Sequence, residues 1–153
     1  PSDGINGYRC PSGFYCPAGT GLELPCEPGT FSPVPGASGT SPQSCVPCYP
    51  GSFCASIGLS SPTGPCTEGF YCPANFSSVS PTAFLCPQGH FCQSGAAHPT
   101  PCPAGEYQPA RGSASCVPCQ RGFYCQELVT GDARRCPPHT YCPAGTLKLA
   151  CPG

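Results

Sequence analysis

The chain has 153 residues with 17 Cys, 24 Pro and 20 Gly, and its six Lys/Arg and seven Asp/Glu leave a net charge of −1. That balance excludes electrostatic capture of nucleic acid or an anionic membrane, and no apolar run reaches membrane-spanning length. Proline and glycine at this level would suggest disorder, but cysteine at this density argues for a disulfide scaffold in an oxidising compartment. The expected location is extracellular, secreted or at a cell surface.

One pattern organises the chain: Cys, two residues, Gly, any residue, Phe or Tyr, then usually Cys. It first appears at Cys10-Pro11-Ser12-Gly13-Phe14-Tyr15-Cys16. First cysteines recur at Cys26, Cys48, Cys66, Cys86, Cys102, Cys119 and Cys136, and these eight copies are numbered units 1 to 8 in that order. Residues 1–9 read as a partial unit, with Gly7 and Tyr8 in register but Gly4 where a first cysteine belongs. Unit 2 is a long variant: Ser32 replaces the second cysteine, and a Pro/Gly/Ser-rich loop ends in Cys45-Val46-Pro47-Cys48. Unit 6 repeats that variant with Gln108 in place of Cys and Cys116-Val117-Pro118-Cys119 at its end. In unit 8, His139 stands at the glycine position. Cys151-Pro152-Gly153 opens a further copy.

A longer period lies above the short one. The domains expected are a partial unit at 1–9, modules at 10–47, 48–85, 86–118 and 119–150, with 86–118 repeating the first module and 119–150 the second, and the start of a further unit at 151–153. There is no Trp or Met, no helical apolar period, and the aromatics are spread evenly. Each small loop buries one or two of them, so disulfides must offset the chain entropy that burial cannot. The fold class expected is small and disulfide-rich: an elongated tandem array of short β-hairpin and turn modules, with little regular secondary structure and no single core.

Cys-Pro-x-Gly at Cys10, Cys86 and Cys102 suits a type I turn with Pro at i+1 and Gly at i+3. Pro28-Gly29 and Pro50-Gly51 suit type II turns, with Gly at positive φ. The recurrent aromatics (Tyr15, Phe31, Phe53, Tyr71, Phe91, Tyr107, Tyr124 and Tyr141) are expected to lie against a disulfide and the next turn. Phe14, Phe70 and Phe123 alternate with them and are expected on the opposite, more exposed side of each strand.

Sixteen cysteines divide into four sets of four, and each set allows three pairings. The favoured scheme joins first to third and second to fourth: Cys10–Cys26, Cys16–Cys45, Cys48–Cys66, Cys54–Cys72, Cys86–Cys102, Cys92–Cys116, Cys119–Cys136 and Cys125–Cys142. Pairing across five residues would leave the units without a disulfide between them. A competing scheme closes the long loops as Cys26–Cys45 and Cys102–Cys116. Cys151 is left over, either unpaired as the start of a further unit or engaged in an intermolecular disulfide.

The run Cys102-Pro103-Ala104-Gly105-Glu106-Tyr107, continuing to Ser115-Cys116-Val117-Pro118-Cys119 and then Gly122-Phe123-Tyr124-Cys125, resembles cysteine-rich repeats of ephrin-receptor-like type. These are related in style to tumour-necrosis-factor-receptor and EGF-like modules, and the likeness covers nearly the whole chain. The resemblance implies extracellular, elongated, disulfide-stapled modules and supplies no catalytic residues.

Cys45-x2-Cys48 and Cys116-x2-Cys119 have zinc or redox spacing, but they are far apart and embedded among other cysteines, so no metal or cofactor is expected. Of the histidines His90, His98 and His139, His90 and His139 fall inside cysteine loops and read as surface filler; no carboxylate pair or phosphate loop stands out, and no enzyme is expected. Asn75-Phe76-Ser77 is an N-glycosylation sequon in a loop. With only 8% of residues charged, glycans or assembly would supply the solubility that charge does not. The function expected is a structural rod, stalk or filament segment, assembled head to tail or with neighbouring repeats. The alternative is a receptor or adhesion ectodomain binding a protein ligand.

Overall fold

The structure, a computed structural model, describes residues 9–33, 41–77, 82–125, 133–138, 140–143 and 149–150. The chain is a small disulfide-rich protein of short antiparallel hairpins, with eight disulfides and no α-helix among the described residues. In every unit but unit 4 the residue pair that ends in the recurrent aromatic forms one two-residue strand. The two residues before the next first cysteine form its partner.

The hairpins follow in chain order. In units 1 to 3, β1 (Phe14–Tyr15) pairs with β2 (Leu24–Pro25), β3 (Thr30–Phe31) with β4 (Val46–Pro47), and β5 (Ser52–Phe53) with β6 (Gly64–Pro65). Unit 4 keeps only an isolated bridge between Phe70 and Leu85, with the Tyr71 amide donating to the Phe84 carbonyl at 3.0 Å. In units 5 and 6, β7 (His90–Phe91) pairs with β8 (Thr100–Pro101), and β9 (Glu106–Tyr107) with β10 (Val117–Pro118). In units 7 and 8, β11 (Phe123–Tyr124) pairs with β12 (Arg134–Arg135), and β13 (Thr140–Tyr141) with β14 (Leu149–Ala150). Prolines in the second strands are tolerated because two-stranded hairpins offer edge positions that need no amide donor.

One turn serves every unit. The residue four after the first cysteine donates its amide to the carbonyl one after it, as in Phe14 to Pro11, Thr30 to Glu27 and Glu106 to Pro103. In units 1 to 7 glycine then sits third in the turn at positive φ, +85° at Gly13 and +89° at Gly29. The type I turns expected at Cys10, Cys86 and Cys102 are therefore not formed. Their proline occupies the first turn position, and Gly13 and Gly105 take the left-handed place that Gly29 and Gly51 also take.

The disulfide pairing differs from the favoured scheme. Cys10–Cys16, Cys48–Cys54, Cys66–Cys72, Cys86–Cys92, Cys119–Cys125 and Cys136–Cys142 each close within one unit. Cys26–Cys45 and Cys102–Cys116 close the two long loops. The turn inside each short loop folds its ends back to Cα separations of 5.9–6.1 Å, within disulfide reach. None of first-to-third or second-to-fourth pairs forms, because each cysteine already has a partner inside its own unit. On a chain-entropy account a loop this short restricts the unfolded chain by about 2–3 kcal/mol.

Burial follows the staples. Cys26, Cys48, Cys54, Cys66, Cys72 and Cys86 are fully buried, while among the described aromatics only Phe31 and Phe53 are buried. Phe31 packs with Cys48 and Cys54 of the next unit and with Leu59, as expected of an aromatic lying against a disulfide. Tyr141 departs from that expectation and is exposed. Phe14, Phe70 and Phe123 are half-buried rather than exposed. At Phe14 the cause is visible: its ring lies beside the Gly58 turn of unit 3.

Candidate functional site

The recurring chemical feature among the described residues is the junction between units. The junction is built from backbone. The turn glycine of one unit donates to the carbonyl at the second-cysteine place of the next: Gly29 to Cys54 at 2.9 Å, Gly51 to Cys72 at 2.8 Å, Gly69 to Cys92 at 2.8 Å. Its carbonyl accepts from the next first cysteine: Cys48, Cys66 and Cys86 reach Gly29, Gly51 and Gly69 at 2.8–2.9 Å. These bonds replace the cross-unit disulfides that the sequence suggested, so pairing within units does not leave the units unlinked. The ladder runs without change of pattern across residues 47/48, 85/86 and 118/119.

A second set of bonds docks the loop of each of units 3 to 6 on its predecessor. The Gly58 amide donates to Cys26, Asn75 to Cys48, Gly95 to Cys66 and Gly112 to Cys86. One residue further on, the carbonyls of Leu59, Phe76, Ala96 and Ser113 accept from the amides of Ser32, Cys54, Cys72 and Cys92. The docked residue lies in left-handed conformation at each place, φ +69° at Gly58, +67° at Asn75, +81° at Gly95 and +75° at Gly112.

The same turn also reaches the unit before that. A Cβ built on Gly29 would lie 2.6 Å from the Asn75 carbonyl oxygen, so only glycine fits there. Gly13, Gly51 and Gly69 meet the carbonyls of Gly58, Gly95 and Gly112 in the same way. Each of these units therefore contacts its neighbour and its next-but-one neighbour.

The two variant units solve the missing cysteine differently from the others. Ser32 and Gln108 occupy the second-cysteine place and are both buried. The Gln108 amide nitrogen donates to the Ser115 carbonyl at 2.7 Å, and its oxygen accepts from the Ala110 amide at 3.1 Å. A buried polar side chain with its donor and acceptor both used is tolerated.

The remaining sequence candidates fall as follows. Asn75 is exposed and is the one non-glycine residue at positive φ among those described. Phe76 of the same sequon packs edge-on against Phe84 at 5.0 Å, and Phe84 packs against Tyr71 at 5.2 Å. Cys45 and Cys48 belong to different disulfides, as do Cys116 and Cys119. His90 is half-buried with Nδ1 3.0 Å from the Gln88 carbonyl oxygen, and His98 is exposed. Residues 1–8, His139 and Cys151 lie outside the described residues. Sequence reasoning missed the docking role of Gly58, Asn75, Gly95 and Gly112. Their common signal is a glycine or asparagine three or four residues after the second-cysteine place.

No protein-family profile matches the chain. Thyroglobulin of Rattus norvegicus is 47% identical over 57 residues, covering 37% of this chain and 2% of that protein. Thyroglobulin of Mus musculus is 46% identical over 86 residues, covering 56% of this chain and 3% of that protein. ABC transporter G family member 25 of Oryza sativa subsp. japonica is 31% identical over 116 residues, covering 68% of this chain and 11% of that protein. The chain thus spans a small fraction of the curated relatives it matches. It is a cysteine-rich repeat segment. Proteins bearing such different names share it, so the likeness follows the repeat and not one activity. Eight disulfides point to an oxidising, extracellular setting. No helix among the described residues is long and apolar enough to cross a membrane.

Proposed function

We propose that this chain is a structural segment of an extracellular cysteine-rich array, working as a rod or stalk, secreted or at a cell surface, whose units are of ephrin-receptor-like type. The observation that carries the reading is the recurring junction, in which each unit is bonded to its neighbours along the chain and needs no common core. Stability in such an array is a sum of local terms, and length adds surface instead of interior. Nothing in this role calls for catalysis, and we assign none.

Asn75 carries an N-linked glycan in this reading. Its side chain is exposed on a loop, and the sequon residue Ser77 is exposed beside it. The alternative role of receptor or adhesion module is less well supported. The exposed large apolar side chains (Leu22, Tyr49, Ile57, Val117 and Tyr141 among them) are distributed over several units instead of marking one.

Small-angle scattering on the 153-residue chain tests the reading. A compact globule of this length has a radius of gyration of about 15 Å. A clearly larger value with a rod-like cross-section is expected, and a value near 15 Å refutes the array. Mass spectrometry of protein from a eukaryotic secretory host, before and after peptide N-glycosidase, should show a shift that Asn75→Gln removes.

A further inference from the structure

Among the described residues, four left-handed turns dock on preceding units, at Gly58, Asn75, Gly95 and Gly112, and only Asn75 brings a side chain to its place. Asparagine tolerates this backbone conformation better than other residues that carry a Cβ. It also opens the triplet Asn75-Phe76-Ser77. The residue that plugs the junction is therefore the residue that would accept an N-linked glycan.

Backbone and side chain divide the two uses between them. The backbone of the triplet is held at three points: the Asn75 amide donates to the Cys48 carbonyl at 3.1 Å, the Phe76 carbonyl accepts from the Cys54 amide at 2.7 Å, and the Asn75 carbonyl lies against Gly29, where a Cβ would stand 2.6 Å from its oxygen. The Phe76 ring is a further anchor, half-buried and edge-on to Phe84 at 5.0 Å. Phe84 is held in turn by Tyr71, edge-on at 5.2 Å. Asn75 and Ser77 are exposed. The socket is built on Cys48 and Cys54, which are joined by one disulfide, so oxidation of unit 3 completes it.

Glycan transfer joins the Asn75 carboxamide nitrogen to the anomeric carbon of a lipid-linked oligosaccharide; the nitrogen gives up a proton and lipid pyrophosphate leaves. A sequon is read at the carboxamide and at the hydroxyl two residues on, so the transferring enzyme has to enclose the backbone between them. That backbone is the part seated on units 2 and 3. We infer that docking of the Asn75 turn closes the sequon to transfer, so that the glycan is attached before unit 4 seats on units 2 and 3, and the rate of seating sets how fully the site is occupied. Attachment does not prevent later docking, because the exposed side chain carries the glycan while the backbone amide and carbonyl make the junction. The inference rests on the reading of Asn75 as a glycan acceptor and adds the state of the chain that accepts.

The test offers the 153-residue chain, with its disulfides formed or reduced, to a purified single-subunit eukaryotic oligosaccharyltransferase and a lipid-linked oligosaccharide. Attachment at Asn75 is read by mass spectrometry. The oxidised chain should be modified roughly thirtyfold more slowly than the reduced chain, the factor expected when two hydrogen bonds must open first. Gly29→Ala, which pushes the Asn75 turn outward, should raise transfer to the oxidised chain about tenfold with the disulfide map unchanged. Gly122→Ala, with the same positive φ and no turn against it, should not. Ala18→Asn in an Asn75→Gln background sets a sequon with Gly19 and Thr20 in an exposed turn, where nothing lies within 4 Å of a Cβ built on Gly19. There the oxidised and reduced chains should be modified at comparable rates. Equal transfer at Asn75 to both forms overturns the inference. So does slow transfer to the oxidised chain that Gly29→Ala leaves unchanged, that Gly122→Ala relieves equally, or that the sequon made by Ala18→Asn shares. A reduced chain that takes no glycan at Asn75 removes the reading of Asn75 as an acceptor, and this inference with it.

Discussion

Gly29→Ala tests whether the next-but-one contact contributes to stability. Two costs should arise. At φ +89° an L-residue is disfavoured by about 1–2 kcal/mol. The new Cβ would also stand 2.6 Å from the Asn75 carbonyl oxygen, where ordinary contact begins near 3.4 Å, so the Asn75 turn must retreat by roughly 0.8 Å. That turn is held by the Asn75 amide on Cys48 and by the Phe76 carbonyl on the Cys54 amide, so retreat weakens both bonds. Overpacking of this kind costs about 1–3 kcal/mol. The sum is about 2–5 kcal/mol, concentrated at one junction. Gly122→Ala is the internal control: its φ is +87°, but the site is open, so only the conformational cost of about 1–2 kcal/mol applies. Because a linear array need not unfold in one step, the assay is local: amide exchange at Cys54 and Asn75 for the first variant and across units 7 and 8 for the second, with disulfides intact. Equal losses in the two variants would refute the reasoning, since they would show that the Asn75 turn does not constrain Gly29.

Two further outcomes are expected from the packing. Phe31→Ala should cost about 3–5 kcal/mol, because Phe31 is 2% exposed and packs on Cys48, Cys54 and Leu59. Local exchange over residues 26–59 should rise while units 5 and 6 are unaffected. Gln108→Ala leaves the Ser115 carbonyl and the Ala110 amide without their side-chain partner, at about 1–3 kcal/mol. Faster exchange confined to residues 105–116 is the expected signature, and an unchanged Ala110 amide would count against it.

Much of the array was legible from residue order alone. The interval of Cys-x-x-Gly-x-aromatic predicts where each hairpin begins, and the two residues before each first cysteine form the returning strand. Cysteine density and the lack of helical period are enough to predict a stapled chain without a common core. Phe31 shows why the recurrent aromatic sits where it does: one residue before the second-cysteine place, it reaches the next unit's disulfide.

Other features were settled only in three dimensions. Spacing leaves the disulfide map open, because a five-residue gap is bridged only once the turn at Gly13 or Gly51 brings the two ends to about 6 Å. Proline position suggested two kinds of turn, but both kinds of sequence form one, since the glycine amide and carbonyl must both face the next unit. Gln108 reads as a lost cysteine, yet its amide ties the long loop that Cys102–Cys116 closes. Asn75 reads as a sequon, while the backbone uses it as a left-handed plug against Gly29.

Local chemistry such as turn preference, strand alternation and cysteine count acts over a few neighbouring residues, and the sequence by itself determined those parts. The contact between a turn and the glycine two units back joins residues more than forty positions apart, beyond the reach of local preference. Only the folded chain brings Gly29 to Asn75 and Gly69 to Gly112, because their fit depends on the absence of a Cβ beside a backbone carbonyl.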